Sequence, residues 1–127
     1  MYRIEKRMEI AGAHRLDLPY KSKCSNTHGH NFVIVVYCQA DELNQNGMVV
    51  DFTEIKKRIH DRLDHKFLND LKGIGWDDID DKVVELNPTA ENVAKWICDQ
   101  IDSCYKVTVQ ESEGNIATYI CPGVFNE

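Results

Sequence analysis

Three histidines in the first quarter of the chain have the residue type and spacing of a metal site. His28 and His30 lie two residues apart, and His14 lies upstream between Ala13 and Arg15. Residues i and i+2 of a strand point to the same side, so His28 and His30 can bind one ion while His14 adds a third nitrogen from a neighbouring strand. Three neutral imidazoles suit zinc and leave a fourth position open for substrate oxygens. The spacing therefore predicts a catalytic zinc site, with a chance grouping of surface histidines as the alternative.

Cys24 lies four residues before His28, in a segment that is predicted to be a loop. As a fourth ligand, it would close the coordination shell and make the zinc structural. As a thiolate beside a cation, it would instead serve as a general base. A buried, inert thiol is the third interpretation. The residues alone leave these roles open.

Two further groups have side chains suited to acid–base or binding chemistry. Asp64 and His65 adjoin at the end of a predicted helix, where such a pair either takes part in catalysis or only caps the helix. Glu111 shares a strand face with Val107 and Val109, and a carboxylate on an apolar face needs a partner. That partner is either an internal Lys or Arg or the paired N–H donors of a guanidine-like ring.

Two long strands must position the histidines. Apolar residues at even positions predict a strand from Tyr2 to His14, and a run rich in Val, Ile, Phe and Tyr predicts a second strand from His30 to Ala40. Residues 15–27 between them contain Pro, Ser and Asn and are predicted to form a loop. A turn at residues 44–47 follows the second strand.

The rest of the chain predicts two helices and a terminal hairpin. Asp51 and Glu54 have the spacing of a capping box before the first helix, in which His60 is interpreted as a surface residue. Thr89 is a plausible N-cap of a second helix that extends to about residue 104. Residues 73–87 are expected to be an acidic connector. Apolar and polar residues alternate on both sides of Gly114 within residues 105–120, which predicts a hairpin. The order ββααββ predicts an α+β fold.

The composition limits the class of protein. With 127 residues, 43% of them hydrophobic, residues 1–127 are expected to form a single domain. The net charge of -6 argues against binding to nucleic acid or to an anionic membrane through bulk electrostatics. Five cysteines without C-x-x-C spacing favour free thiols in a reducing compartment. Charged residues at the N-terminus and the lack of a membrane-length apolar run predict a cytoplasmic protein.

Over nearly its whole length the chain resembles the 6-pyruvoyl-tetrahydropterin synthase superfamily. The resemblance rests on a set of motifs in the family's order: Ala13-His14-Arg15, Cys24-x-x-x-His28-Gly29-His30, Gly47-Met48-Val49-Val50-Asp51-Phe52, Leu63-Asp64-His65, Asn87-Pro88-Thr89-Ala90-Glu91-Asn92 and Gln110-Glu111. It implies the tunnelling fold, with an antiparallel four-stranded sheet and two helices on one face. It also implies an oligomeric barrel, as a homohexamer built from two trimers, with active sites between subunits.

The resemblance also implies a role for each candidate residue. The substrate would be a small molecule, 7,8-dihydroneopterin triphosphate. Zinc would be bound by His14, His28 and His30, and Cys24 would accept a proton from the substrate. Asp64 and His65 would form the relay that returns a proton to it. The pterin would be anchored by Glu111, with Thr89 and Glu91 near its pocket, although Thr89 is equally well explained as a helix cap.

Two activities of the superfamily compete. The 6-carboxy-5,6,7,8-tetrahydropterin synthases of the queuosine pathway release acetaldehyde, whereas the biopterin-pathway synthases keep a pyruvoyl group. Segments 50–53, 63–70 and 87–89 and the length of the chain favour the first activity, and Cys24 argues against a folate-pathway variant that carries glutamate there. Outside the superfamily, a non-catalytic zinc module closed by Cys24 is the main alternative. A metal-dependent hydrolase is less favoured because no H-E-x-x-H motif occurs.

Overall fold

Two antiparallel strands of 13 residues each form the centre of the fold. The computed structural model describes residues 1–123, in which β1 covers Tyr2–His14 and β2 covers His28–Ala40. The two strands pair along their full length, from Tyr2 opposite Ala40 to His14 opposite His28. The prediction of the first strand is confirmed, and the second strand begins two residues earlier than predicted.

The remaining elements confirm the α+β class. Short 3-10 turns lie at Lys23–Ser25 and Leu68–Asp70, and no helix in the described residues is long and apolar enough to cross a membrane. The other helices and strands are α1 (Phe52–Arg58), α2 (His60–Leu63), β3 (Lys66–Phe67), β4 (Trp76–Ile79), β5 (Lys82–Glu85), α3 (Ala90–Gln100), β6 (Cys104–Ser112) and β7 (Asn115–Ile120).

The main sheet has five strands in the order β3-β1-β2-β6-β7. The expected sheet was four-stranded and antiparallel. That expectation is wrong because β3 pairs in parallel with the end of β1, with Gly12 opposite Lys66, which makes the sheet mixed. The chain leaving α2 runs beside β1 for only two residues, too few for a period-2 pattern to be visible in the sequence.

One hydrophobic core joins the sheet to the helices. Even-numbered residues of β1 and β2, such as Ile10 and Ile34, pack with Ile55 of α1 and Val93 of α3. His14 continues this buried face of β1 and is the one polar side chain among the described residues that is classed as buried. The core therefore extends up to the predicted metal site.

Three predicted local features differ from the structure. The second helix ends at Gln100 rather than near residue 104, because Ile101 is extended and Cys104 begins β6. The predicted connector 73–87 contains a hairpin formed by β4 and β5. Asp51 caps α1 as predicted, but Glu54 binds the Arg58 side chain instead of completing the capping box.

The cysteines are not all free. Cys98 of α3 and Cys121, just after β7, form a disulfide with Cα atoms 6.1 Å apart, within the usual range. The prediction of five free thiols is wrong for this pair, since the end of β7 returns to α3. Cys104 lies beside the bridge, its Sγ 3.7 Å from the Cys121 Sγ. A hydrogen bond between Cys38 and Cys104 lowers the pKa of Cys38 and raises that of Cys104.

Candidate metal centre

The three predicted ligands meet at one end of the β1–β2 pair. His14 lies directly opposite His28 in the ladder, and His30 lies opposite Gly12. One ligand nitrogen from each ring falls within 4.8 Å of the other two, and the ring centroids are 4.5, 4.8 and 5.1 Å apart. The strand register thus brings together the histidines that the i, i+2 spacing singled out.

Backbone carbonyls fix the orientation of two of the rings. The Nδ1 atom of His14 lies 2.8 Å from the Pro88 oxygen, and that of His28 lies 2.6 Å from the Asn26 oxygen. A carbonyl oxygen can only accept, so Nδ1 carries the proton in both rings and Nε2 keeps a lone pair. Histidines that bind metals have their second nitrogen held in this way.

One of these lone-pair nitrogens, the Nε2 atom of His14, is buried without a partner. It makes no hydrogen bond within the described residues, and an unpaired buried polar atom costs about 1–3 kcal/mol. The Nε2 atom of His30 is also buried, and the Glu111 carboxylate lies 3.3 Å from it. Burial lowers the pKa of His30, as do His14 and His28, against an opposing effect of Glu111. A lower pKa favours the neutral imidazole, which is the form that binds metal. The donor set therefore fits a divalent cation such as zinc.

Cys24 lies in the 3-10 turn that precedes β2. Its N–H donates to the Ser22 hydroxyl at 3.1 Å, and its carbonyl accepts from the Leu16 N–H at 2.8 Å. Among the described residues, the cluster that could hold a metal contains the three histidines and does not include the half-buried Cys24. In this arrangement Cys24 is not one of the grouped ligands.

Asp64 and His65 both contact β1 three residues before His14. One Asp64 oxygen, Oδ1, accepts the Ala11 N–H at 2.9 Å, and the His65 N–H donates to the Ala11 carbonyl at 2.7 Å. The Ala11 hydrogen bond is the main reason that the pKa of Asp64 is lowered. His65 has a positive φ of 59°, and its Nε2 lies 3.6 Å from the Asp64 Oδ2. The ring is exposed beside a carboxylate that the backbone of β1 fixes in place.

His60 contacts the same carboxylate, which its interpretation as a surface residue missed. Its Nε2 lies 3.7 Å from the Asp64 Oδ2, and its Nδ1 lies 3.5 Å from Asp61. The i, i+4 spacing of His60 and Asp64 places them on one helical face, and this spacing was the signal available in the sequence. Asp64 therefore has an imidazole on either side.

Glu111 has a histidine as its partner rather than a Lys or Arg. Its Oε1 lies 3.3 Å from the Nε2 of His30, at a bulge in the β6–β7 pair. It also lines a cavity of about 500 Å³ between the start of α3 and the β6–β7 hairpin, where Glu91 is a second lining residue. Thr89 caps α3 by accepting the Asn92 N–H at 3.2 Å and is not among the residues that line this cavity.

A second cavity adjoins His30. It has a volume of about 480 Å³ and is lined by His30, His65, Phe67 and the adjoining backbone of β1 and β2. Glu111 and Glu91 line the first cavity, and His30 and the exposed His65 line the second. The contact between Glu111 and His30 therefore joins a residue of one cavity to a residue of the other. Both cavities are open to solvent.

Comparison with known proteins agrees with this geometry. The family model described as 6-pyruvoyl tetrahydropterin synthase matches residues 3–121. The 6-carboxy-5,6,7,8-tetrahydropterin synthase of Bacillus subtilis is 30% identical, covering 93% of this chain and 84% of its own. The 6-pyruvoyl tetrahydrobiopterin synthase of Dictyostelium discoideum is 34% identical over a match that covers 76% of this chain and 73% of the relative. The solved 6-pyruvoyl tetrahydropterin synthase of Caenorhabditis elegans is 28% identical, with a TM-score of 0.69 and coverage of 94% and 95%. This chain belongs to the 6-pyruvoyl tetrahydropterin synthase family.

Proposed function

We propose that this protein is a zinc-dependent lyase that converts 7,8-dihydroneopterin triphosphate into 6-carboxy-5,6,7,8-tetrahydropterin, acetaldehyde and triphosphate. One water molecule is consumed to balance the atoms. The observation that carries the proposal is the buried Nε2 atom of His14, which has no hydrogen-bond partner among the described residues and whose ring is grouped with those of His28 and His30. A cation bound by the three rings would satisfy this atom.

The proposed metal ligands are His14, His28 and His30. A zinc ion bound there supplies Lewis-acid polarisation of the oxygens on the pterin side chain. The carbonyls of Pro88 and Asn26 hold two of the imidazoles in the tautomer that exposes Nε2. Three protein ligands, with Cys24 outside the group, are the pattern of a catalytic rather than a structural zinc.

Proton transfer is assigned to Cys24 and to the Asp64–His65 pair. The Cys24 thiolate removes a proton from a carbon of the substrate side chain, and His65 returns one, so that triphosphate can leave. Asp64 is suited to orient His65 because the Ala11 N–H holds the carboxylate in its ionised form. His65 lines the cavity that also contains His30, which supports its place near the reacting carbons.

Pterin binding is assigned to Glu111, with Glu91 on the same cavity and Thr89 at the start of the same helix. A carboxylate recognises two parallel N–H donors, such as those of the guanidine-like edge of a pterin. Glu111 is half-buried and shares a cavity of about 500 Å³ with Glu91, a volume in the range of small-molecule sites. The contact of Glu111 with His30 would set the pterin beside the proposed metal.

The 6-carboxy product is proposed on the names of the relatives. Proteins with that name from Bacillus subtilis and from Synechocystis are both 30% identical over more than nine-tenths of this chain. The 34% identity to the Dictyostelium enzyme favours a second candidate, 6-pyruvoyl-tetrahydropterin formation, over a shorter part of the chain. The metal, Cys24 and Asp64–His65 serve either outcome, so the site does not choose between them.

A product assay tests the proposal. Purified protein loaded with zinc is incubated with dihydroneopterin triphosphate, the pterin is identified by mass spectrometry, and acetaldehyde is measured with alcohol dehydrogenase. We expect 6-carboxy-5,6,7,8-tetrahydropterin and acetaldehyde in equal amounts. A 6-pyruvoyl product without acetaldehyde would support the second candidate.

Two variants serve as controls in this assay. His28→Ala should bind zinc at least 10-fold more weakly, because a three-ligand site tolerates the loss of one ligand poorly. Asn46→Ala, in the exposed turn after β2, should retain zinc and turnover. Full zinc occupancy in His28→Ala would show that the ligand set is wrong, and a wild-type protein that binds zinc without turnover would favour the non-catalytic module.

A further inference from the structure

Two asparagines hold the chain segment that follows His14. The Asn69 Oδ1 accepts the Arg15 N–H at 2.9 Å, and its Nδ2 donates to the Arg15 carbonyl at 2.8 Å. The Asn87 Oδ1 accepts the Asp17 N–H at 2.8 Å, and its Nδ2 donates to the Asp17 carbonyl at 3.0 Å. Each side-chain amide thus pairs with one backbone residue on both its donor and its acceptor, as a neighbouring strand would. We refer to Asn69 and Asn87 as the asparagine clamp.

The clamp also reaches the carbonyl that orients His14. Asn87 precedes the buried Pro88, whose oxygen accepts from the His14 Nδ1. The Asn87 carbonyl in turn accepts from the Asn92 side chain at 2.7 Å and from the Thr89 N–H at 2.8 Å, both at the start of α3. The loop before α3 is therefore fixed to the helix on one side and to the segment after His14 on the other.

His14 needs such support more than the other two histidines do. His28 and His30 are followed by the rest of β2, which pairs with β1 and then with β6. His14 is the last residue of β1, and the chain beyond it is irregular until the 3-10 turn at Lys23–Ser25. The clamp adds four hydrogen bonds to the few others that hold the backbone here, which are the ladder to His28, the short pairing with β3 and the hydrogen bond from the Leu16 N–H to the Cys24 carbonyl.

We propose that Asn69 and Asn87 are positioning residues for the metal site, acting through His14. This inference rests on the proposed metal-binding function. A ligand must be held close to its productive geometry by the groups behind it. Loss of a group that is hydrogen-bonded directly to a ligand typically lowers metal affinity by about 10- to 100-fold. The clamp acts one step further out, through the backbone after His14 and the loop that carries Pro88, so we expect an effect at the lower end of this range.

Zinc affinity measures this role without relying on turnover. Metal-free wild-type protein, Asn69→Ala and Asn87→Ala are titrated with zinc in competition with a chromophoric chelator. We expect both variants to bind zinc about 10-fold more weakly than wild type. Asn46→Ala removes the same side chain from an exposed turn at the far end of β2 and should stay within about 2-fold of wild type.

A double-mutant cycle separates positioning from general support of the fold. If Asn87 acts through His14, then Asn87→Ala should cause no further loss of zinc affinity in a His14→Ala background. An equal loss in both backgrounds would overturn the inference, as would zinc affinity unchanged in both clamp variants. If Asn87→Ala fails to fold, the same cycle is measured with Asn69→Ala and His14→Ala, and its result tests the inference. The Asn69 side chain makes hydrogen bonds only to Arg15.

The same titration distinguishes failure of the metal site from failure of the clamp. Wild-type protein that binds no zinc would remove the proposed function and this inference together. Wild-type protein that binds zinc tightly, with clamp variants that bind it equally well, would leave the metal site standing and remove the inference alone. Cobalt(II) in place of zinc gives a second readout, because its visible spectrum changes when a nitrogen ligand is lost.

Discussion

At the scale of single residues, the burial and hydrogen bonding of the His14 ring give the strongest support for a metal site. The ring is fully buried, and one of its two nitrogens has a partner in Pro88. The other nitrogen has none within the described structure, and burial of an imidazole in this state costs free energy. The tautomer that Pro88 enforces leaves the lone pair on Nε2, in a ring whose centroid lies 4.5 Å from that of His28 and 5.1 Å from that of His30. A bound cation would satisfy this atom and so offset the cost of keeping it.

Cys24 gives the sharpest test of the proposed chemistry. Its position outside the three-histidine cluster predicts that Cys24→Ala retains zinc, since no ligand is removed. Turnover should fall by about 10²- to 10⁴-fold, the usual effect of losing a general base. Zinc content by atomic emission and turnover with dihydroneopterin triphosphate check the two parts separately.

A thiol in the core provides the control for Cys24. Cys38→Ala removes a fully buried sulphur opposite Ile4, at the other end of the β1–β2 pair, and should leave both zinc content and turnover near wild type. A folded Cys24→Ala protein without zinc would contradict the assignment of Cys24 as a base and would support a closed structural site.

The pKa of Asp64 predicts a pH dependence of stability. The Ala11 N–H, and to a lesser degree His65 and His60, lower this pKa below its ordinary value of about 3.9. The unfolded chain then binds the proton more readily, so the stabilisation is present above about pH 4 and is lost as the pH falls through the lower, folded value. Asp64→Asn lacks this contribution.

Urea unfolding of the wild type and Asp64→Asn at several pH values measures the effect. The difference in their free energies of unfolding should be largest above about pH 5 and should shrink below about pH 4. The prediction would be wrong if that difference stayed constant between pH 6 and pH 3. Asp61→Asn is a useful comparison because Lys56, rather than the backbone of β1, is the main cause of the lowered pKa of Asp61.

At the scale of elements, the disulfide joins two elements that line the cavity of Glu91 and Glu111. Cys98 lies near the end of α3, whose first residues line the cavity, and Cys121 follows β7, which lines the opposite wall. Protein unfolded in acid without reductant should therefore show three reactive thiols, those of Cys24, Cys38 and Cys104. Reduction before unfolding should raise the count to five.

Acid is required in this measurement because Cys104 lies beside the bridge. A thiolate at Cys104 can attack the Cys121 sulphur and release Cys98, and low pH suppresses this exchange. Mass spectrometry of alkylated peptides identifies which cysteines were free. Five reactive thiols without reductant would show that Cys98 and Cys121 are reduced in the purified protein.

The predictability of an element depended on the length of its pattern. β1 shows apolar residues at even positions and β2 contains a long run rich in Val, Ile, Phe and Tyr, which fixes the existence of both strands. The β4–β5 hairpin was missed because its turn is formed by Asp80 and Asp81, with φ values of 52° and 63°. Such turns usually carry Asn-Gly or Asp-Gly, so two aspartates in an acidic run gave the pattern of a loop.

The grouping of the three histidines was predictable from the sequence, and the contacts that support them were not. His14, His28 and His30 follow from strand periodicity and a known motif, and the structure brings them together. The supporting contacts from Asn69, Asn87 and Pro88 join residues more than 50 positions apart in sequence. No local periodicity reports such contacts, because they depend on how the loops pack after the sheet has formed.

At the scale of the whole molecule, the sheet has two strand edges left open. β7 is the last strand on one side, and β1 is covered on the other side by β3 only at Gly12 and Ala13. Exposed apolar side chains lie near both edges, among them Tyr2 on β1 and Ile116 and Ile120 on β7. Open edges with apolar side chains favour pairing with another chain.

Assembly of identical chains through these edges is therefore the last prediction. A C3 ring would pair β7 of each chain with β1 of the next, and a closed ring leaves no edge free. Two such rings would give a hexamer of about 88 kDa, six times the 14.6 kDa of one chain. The cavity at Glu111 is lined by β7 and the cavity at His30 by β1 and β3. Chains paired at these edges would lie against both cavities, so turnover should depend on assembly.

Light scattering coupled to size-exclusion chromatography measures the mass, and turnover is followed as the protein is diluted. We expect a mass near that of the hexamer at micromolar concentration, and turnover per chain that falls when dilution breaks the assembly. Zinc and substrate are held at fixed concentration during the dilution, so this loss would not occur if each chain held a complete site. A monomer at micromolar concentration with full turnover would contradict both the ring and the shared site, while leaving the three-histidine metal site untouched.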